Sequence, residues 1–147
     1  MSNINIIRQE YEVVTPGYKF IFMGLTHANL KYADQALEYY SQAIQCAEDS
    51  FHVRAKAVAL SGIAEIYGER GQYKEALMYH AEAITILKRI DARTNLAEAH
   101  YQLGLTYRAT GNIEQSDMSL QESIRLFTEM EAPKQVERVR RSMNGKT

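Results

Sequence analysis

The feature that most constrains this chain is an internal repeat. Ile63-Ala64-Glu65-Ile66-Tyr67 recurs as Leu103-Gly104-Leu105-Thr106-Tyr107. At the same offset Gly71 falls on Gly111, Tyr73 on Ile113, Ala76 on Ser116, Ala83 on Ser123 and Ile84 on Ile124. A third copy lies one period upstream. Met23 and Gly24 fall on Ile63 and Ala64, and Ala36, Tyr40, Ala43 and Ile44 fall on Ala76, His80, Ala83 and Ile84. A unit of this length that recurs without interruption stacks on its own copies, because a single unit cannot bury its apolar face alone.

Each unit reads as two helices. Leu60, Ile63, Ala64 and Tyr67 follow the i, i+3, i+4, i+7 spacing of one helix face. Gly71 suits a left-handed helix stop. Ala76, Leu77, His80, Ala83, Ile84 and Leu87 then mark one face of a second helix. Both prolines, Pro16 and Pro133, lie near the ends, and the stretch between them is rich in helix formers. The small residues Gly24, Ala64, Gly104, Ala76 and Ala83 permit close approach of paired helices.

Taken together these motifs resemble the tetratricopeptide repeat family. ALSGIAEIYGERGQYKEALMYHAEAI is the best copy and AHYQLGLTYRATGNIEQSDMSLQESI the next. The copy KFIFMGLTHANLKYADQALEYYSQAI departs at the turn, where Lys31 replaces Gly, and the last copy departs where Ser116 and Ser123 replace Ala. The period, from Ile63 to Leu103, exceeds the ~34 residues usual for the family and is similar to the longer-helix variant of kinesin light chains and bacterial peptide-receptor regulators. HEAT and armadillo repeats, of similar length, are the competing assignment. The Gly-x-Tyr turn and the spaced alanines favour the first.

The resulting expectation is an all-α, right-handed α-solenoid of antiparallel helix pairs in one domain, 1–147. Repeats occupy 17–50, 57–90 and 97–131, with a half-repeat helix at each end. The N-terminal one is expected over 3–14, where Ile4, Ile7, Tyr11 and Val14 form a stripe, and the capping helix over 133–144, carrying Val136, Val139 and Met143.

The net charge is -1, which argues against a general nucleic-acid binder. No apolar run reaches the ~20 residues of a membrane span, and no secretory leader is evident. The lone Cys46 fits a reducing compartment, so a cytoplasmic location is expected. His27, His80 and His100 fall at helix-packing positions, no two histidines have metal-site spacing, and His52 is expected to be exposed between repeats. Cys46 has no activating cation nearby. No phosphate loop or nucleophile elbow is present. No enzyme activity, cofactor or metal is expected.

The resemblance implies a protein–protein interaction module, an adaptor or scaffold that binds a peptide or partner helix on a concave face lined by the first helix of each repeat. That face would carry Ser61, Glu65, Gly68 and Glu69, then Glu98, Tyr101, Gln102, Leu105 and Arg108, then Arg138 and Arg141. Gln102 stands where related repeats often hold an Asn that bonds a peptide backbone, a task an amide suits because it both donates and accepts. The acidic side chains precede the basic ones along the face, a pattern that orients a charged partner. The first helix is apolar on more than one side. Tyr18, Ile21, Phe22 and Leu25 are expected to form an interaction patch, with Phe20, Met23, Gly24 and His27 packed inward. A partner helix, a second copy of the chain or residues 3–14 would cover that patch. A regulatory peptide sensor and a self-assembling structural unit are the alternative functions.

Overall fold

The computed structural model describes residues 17–145, and the N-terminal helix expected over 3–14 lies outside them. Among the described residues seven helices follow one another: α1 Tyr18–Asn29, α2 Ala33–Asp49, α3 Val53–Glu69, α4 Tyr73–Arg89, α5 Arg93–Ala109, α6 Ile113–Glu129 and α7 Pro133–Met143. No strand occurs among the described residues. The second and third pairs begin at Val53 and Arg93, one helical turn ahead of the expected 57 and 97. Arg54, Lys56, Thr94 and Asn95 interrupt the apolar pattern there, which hid the first turn of each helix.

From α2 to α6 every helix has 17 residues, and each is followed by a three-residue turn. The backbone therefore repeats with every helix, whereas the side chains repeat with every second one. The centre of each turn is left-handed: Lys31, Phe51, Gly71, Asp91, Gly111 and Glu131, with φ between 51° and 81°. The surrounding hydrogen bonds are the same each time. The Gln72 N–H donates to the Tyr67 carbonyl and the Gly71 N–H to that of Gly68, and the other five turns repeat both bonds. This is a Schellman closure, which satisfies carbonyls that the helix end leaves free. Only two of the six positions carry the glycine that the conformation favours.

The turns fold neighbouring helices back on one another as pairs α1–α2, α3–α4 and α5–α6, and α7 packs on α6. In addition α1 meets α3, and α3 meets α5. The even-numbered helices have no contacts of like extent among themselves. The odd helices thus form the inner layer of a curved stack and the even helices splay on the outside.

Small side chains set the spacing between pairs. Ala36, Ala43, Ala76 and Ala83 are fully buried. A Cβ on Gly104 would stand 2.6 Å from Leu120 and 3.2 Å from the Ser116 carbonyl, so this crossing tolerates only hydrogen. In the third repeat Ser116 and Ser123 take the alanine positions and are also fully buried. Ser123 donates its hydroxyl to the Ala97 carbonyl at 2.8 Å, whereas the Ser116 hydroxyl has no partner. Val136 and Val139 of α7 close the core, with Met143 packed against it.

His80 of α4 replaces the Tyr40 of the preceding copy and is fully buried. Its Nε2 lies 3.1 Å from the Thr106 hydroxyl, and its Nδ1 has no partner. Burial pushes its pKa down to about 4. His100, half-buried, is lowered in the same sense, first by burial. The His27 ring bonds the Met23 carbonyl at 2.7 Å. His52 was expected to be exposed but is half-buried, because it is the residue that enters α3 and its ring folds onto Ser50.

Two outcomes follow from these constraints. Phe51 is 89% exposed and holds a positive φ with a bulky side chain. Phe51→Gly relieves the ~1–2 kcal/mol left-handed penalty at the expense of ~0.4–1 kcal/mol of added unfolded-chain entropy. A net gain of about 0.5–1 kcal/mol is expected in urea denaturation. His80 is neutral in the fold and titrates near the ordinary value when unfolded. Its contribution is complete above about pH 6.5 and is lost as pH falls toward 4, on the order of 3 kcal/mol. Urea midpoints from pH 7.5 to 4.5 should fall more steeply for the wild type than for His80→Met, and equal slopes would contradict this assignment.

Candidate functional site

The inner layer of odd helices carries a run of hollows. One, of about 150 Å³, is bounded by Ile21 and Leu25 of α1, Val58, Ser61 and Glu65 of α3, and Asn95, Glu98 and Gln102 of α5, with Tyr40 from α2. A second, of about 260 Å³, lies further along and is lined by Glu65, Gly68, Glu69, Gln102 and Leu105, with Tyr73, Thr106 and Ala109. Glu65 and Gln102 belong to both and form the ridge between them. A third, of about 620 Å³, is set between α5 and α7 and lined by Tyr101, Lys134, Glu137, Arg138 and Arg141.

Helix periodicity explains the alignment. Val58, Ser61 and Glu65 stand at i, i+3 and i+7 on α3, and Asn95, Glu98 and Gln102 hold the same spacing on α5, so each trio shares one face. Val58, Asn95 and Tyr40 escaped the reading of the sequence. Val58 and Asn95 are legible once the face is extended back one turn. Tyr40 is not, because it reaches the inner face from an outer helix. It does so between two glycines. Its ring lies where a Cβ on Gly24 would stand 2.8 Å away and one on Gly62 2.4 Å away.

Glu65 dominates the electrostatics. Its side chain is open to water on the groove side and walled by helices on the other. Partial loss of hydration, then the charges of Glu98 and Glu69, push its pKa up to about 7, against the pull of Arg138. Tyr40 is pushed up to about 12, first by burial and then by Glu65. Glu98 is ion-paired with Arg138 and accepts from Gln102 Nε2 at 3.2 Å. Glu69 faces Lys31 at 3.8 Å, and Arg141 pairs with Glu137 at 3.2 Å. Among the described residues Glu65 has no such partner.

Several expected groove residues are placed differently. Arg108 does not offer its charge to the groove. Its guanidinium donates to the carbonyls of Ser142 and Met143, at 3.1 Å for Met143, and meets Asp117 at 3.3 Å. It ties off the end of α7, because the last carbonyls of a helix need donors and attract a cation. Tyr101 is buried, its hydroxyl 2.9 Å from Ser142 Oγ and its ring 4.5 Å below the Arg138 guanidinium. Ile21 was expected on an exposed patch but is only 6% exposed, since α1 leans on α3 and seats it among Ala36, Tyr40, Ala59 and Ile63. Tyr18, Phe20, Met23 and His27 are half-buried and Gly24 is buried. Of the proposed apolar patch, Phe22 at 57% and Leu25 at 48% remain exposed.

Among the described residues no three metal-binding side chains cluster, and no helix is long and apolar enough to cross a membrane. Cys46 is half-buried and free.

Comparison with known proteins accounts for this architecture. The sequence matches the tetratricopeptide repeat family model over residues 20–89 and again over 55–129. No curated protein matches it. Among solved structures it is similar to the N-terminal domain of stress-induced protein-1 (STI-1) from C. elegans, with a TM-score of 0.63 and 16% identity over 84% of this chain and 94% of that one. It is also similar to BtubC (BKLC) from P. vanneervenii, with a TM-score of 0.66 and 15% identity over 88% of this chain and 65% of that one. At such identities these likenesses speak for the fold. Proteins built from these repeats are in general protein–protein interaction modules. With most of its length matched by the family model and its helices folded back in successive pairs, the chain belongs to the tetratricopeptide repeat family.

Proposed function

We propose that this chain is a non-catalytic adaptor that holds a peptide or partner helix along the inner face of α1, α3 and α5. The observation that carries this reading is the pair of adjoining hollows that share Glu65 and Gln102. Their floor combines aliphatic and aromatic surface from Ile21, Leu25, Val58 and Tyr40 with the amides of Asn95 and Gln102. A binding site needs this division: apolar surface provides affinity, and a few polar groups fix register. Gln102 is half-buried and anchored to Glu98, so its carbonyl oxygen is left to accept from a peptide N–H. The cytoplasm, where a chain with a single free thiol is at home, is the compartment that fits.

A second reading rests on α1. Phe22 and Leu25 sit one turn apart, both exposed, and a second copy of the chain covering them makes a self-assembling unit. Light scattering on the purified chain separates the two readings: a monomer is expected from the adaptor reading, and a dimer or larger species dissolved by Phe22→Asp from the second.

The direct test is a pull-down with immobilised chain read by mass spectrometry. Gln102→Ala combined with Leu105→Asp should abolish capture of proteins retained by the wild type. Met78→Asp, on the outer face where the native side chain is already 65% exposed, should leave capture unchanged. Equal capture by all three would place the interaction elsewhere.

A further inference from the structure

The groove residues differ in how fully their charges are satisfied. Glu98 is held by Arg138 and Gln102, Glu69 faces Lys31, and Arg141 is engaged by Glu137. Glu65 stands at the junction of the two hollows and makes no salt bridge among the described residues, because Arg138, the cation that acts on it, is already engaged by Glu98. Toward the start of its helix are Ser61 and Val58, beside the aliphatic wall from Ile21 and Leu25. An unpaired carboxylate next to an apolar recess is complementary to a cation flanked by an aliphatic group.

We propose that the segment this groove takes is basic: a peptide with an Arg or Lys against Glu65 and a neighbouring aliphatic side chain in the hollow bounded by Ile21, Leu25 and Val58. This rests on the peptide-binding reading above and narrows it to one partner chemistry. A guanidinium or ammonium suits the site for two reasons. It forms charge-assisted hydrogen bonds, about twice as strong as neutral ones, in a concave setting where water competes less. It also relieves the mutual repulsion of Glu65, Glu69 and Glu98, which an acidic segment would worsen. Loss of hydration, and after it the charges of Glu98 and Glu69, raise the Glu65 pKa, and a bound cation would offset both. The groups that face Glu65 are Tyr40 from α2, Glu69 on its own helix, Glu98 from α5 and Arg138 from α7. A bound cation favours the ionised carboxylate, so affinity rises with pH through neutrality.

The test uses a phage-displayed library of random dodecapeptides selected on the immobilised wild-type chain. The tightest sequences are then made with a fluorescein label and titrated by fluorescence anisotropy. The expected result is enrichment of net-positive peptides with Arg or Lys beside Leu, Ile or Val. Glu65→Gln should weaken binding of the lead peptide at least tenfold with an unchanged circular dichroism spectrum. Wild-type affinity should rise severalfold from pH 6 to 8 while the Gln variant stays flat. Selected peptides that are neutral or acidic, and that lose affinity with Gln102→Ala but not with Glu65→Gln, would overturn the basic partner and leave the groove reading standing. Insensitivity to both variants, or no enrichment at all, would overturn both.

Discussion

The left-handed residue at the middle of each three-residue turn is the constraint on which the rest of the structure depends. It closes one helix and admits the next after a fixed interval, so the helices from α2 onward begin at evenly spaced positions: Ala33, Val53, Tyr73, Arg93, Ile113 and Pro133. A fixed interval brings side chains one full repeat apart to corresponding places in the stack. Ala36, Ala76 and Ser116 therefore occupy the same tight crossing, and Tyr40 and His80 occupy the same buried site. A turn longer by one residue would rotate the following helix by about 100° and take these contacts out of line.

The same interval makes the inner surface. With the turns alike, every odd helix is presented toward its odd neighbour and every even helix is held to the outside. Residues at i, i+3 and i+7 on α3 and α5 then face one another across a shallow channel. The channel is not an open shelf: Tyr40 enters it from the outer layer because Gly24 and Gly62 leave room for its ring, and Arg138 reaches over Tyr101 to pair with Glu98. Local packing of small against large residues thus decides which charges in the channel are paired, and among the described residues it leaves Glu65 without a salt bridge.

Much of this was legible from the sequence, for definable reasons. Apolar periodicity and recurring small residues mark the helix pairs, since both are imposed by burial and each copy must satisfy the same neighbours. The single-helix period of the backbone was hidden because Lys31, Phe51, Asp91 and Glu131 hold left-handed conformations without the glycine that would announce them. Groove residues could be assigned to a helix face, and Ser61, Glu65, Gln102 and Leu105 do line the inner hollows. The fate of a long side chain could not be read in the same way. Arg108 has the reach to choose between the channel and the end of α7, and the free carbonyls of Ser142 and Met143 decide in favour of the latter. Ile21 is similar: its helix face is legible, but the lean of α1 on α3 that buries it is a tertiary fact.

The central claim is that partners are held on the channel between α1, α3 and α5. Backbone amide NMR of the ¹⁵N-labelled chain, titrated with its tightest-binding peptide, tests it most directly. Shift changes confined to the inner faces of these helices, around Glu65 and Gln102, are the result this account predicts. Changes centred instead on the outer faces of α4 and α6, around Met78 and Met118, would contradict it.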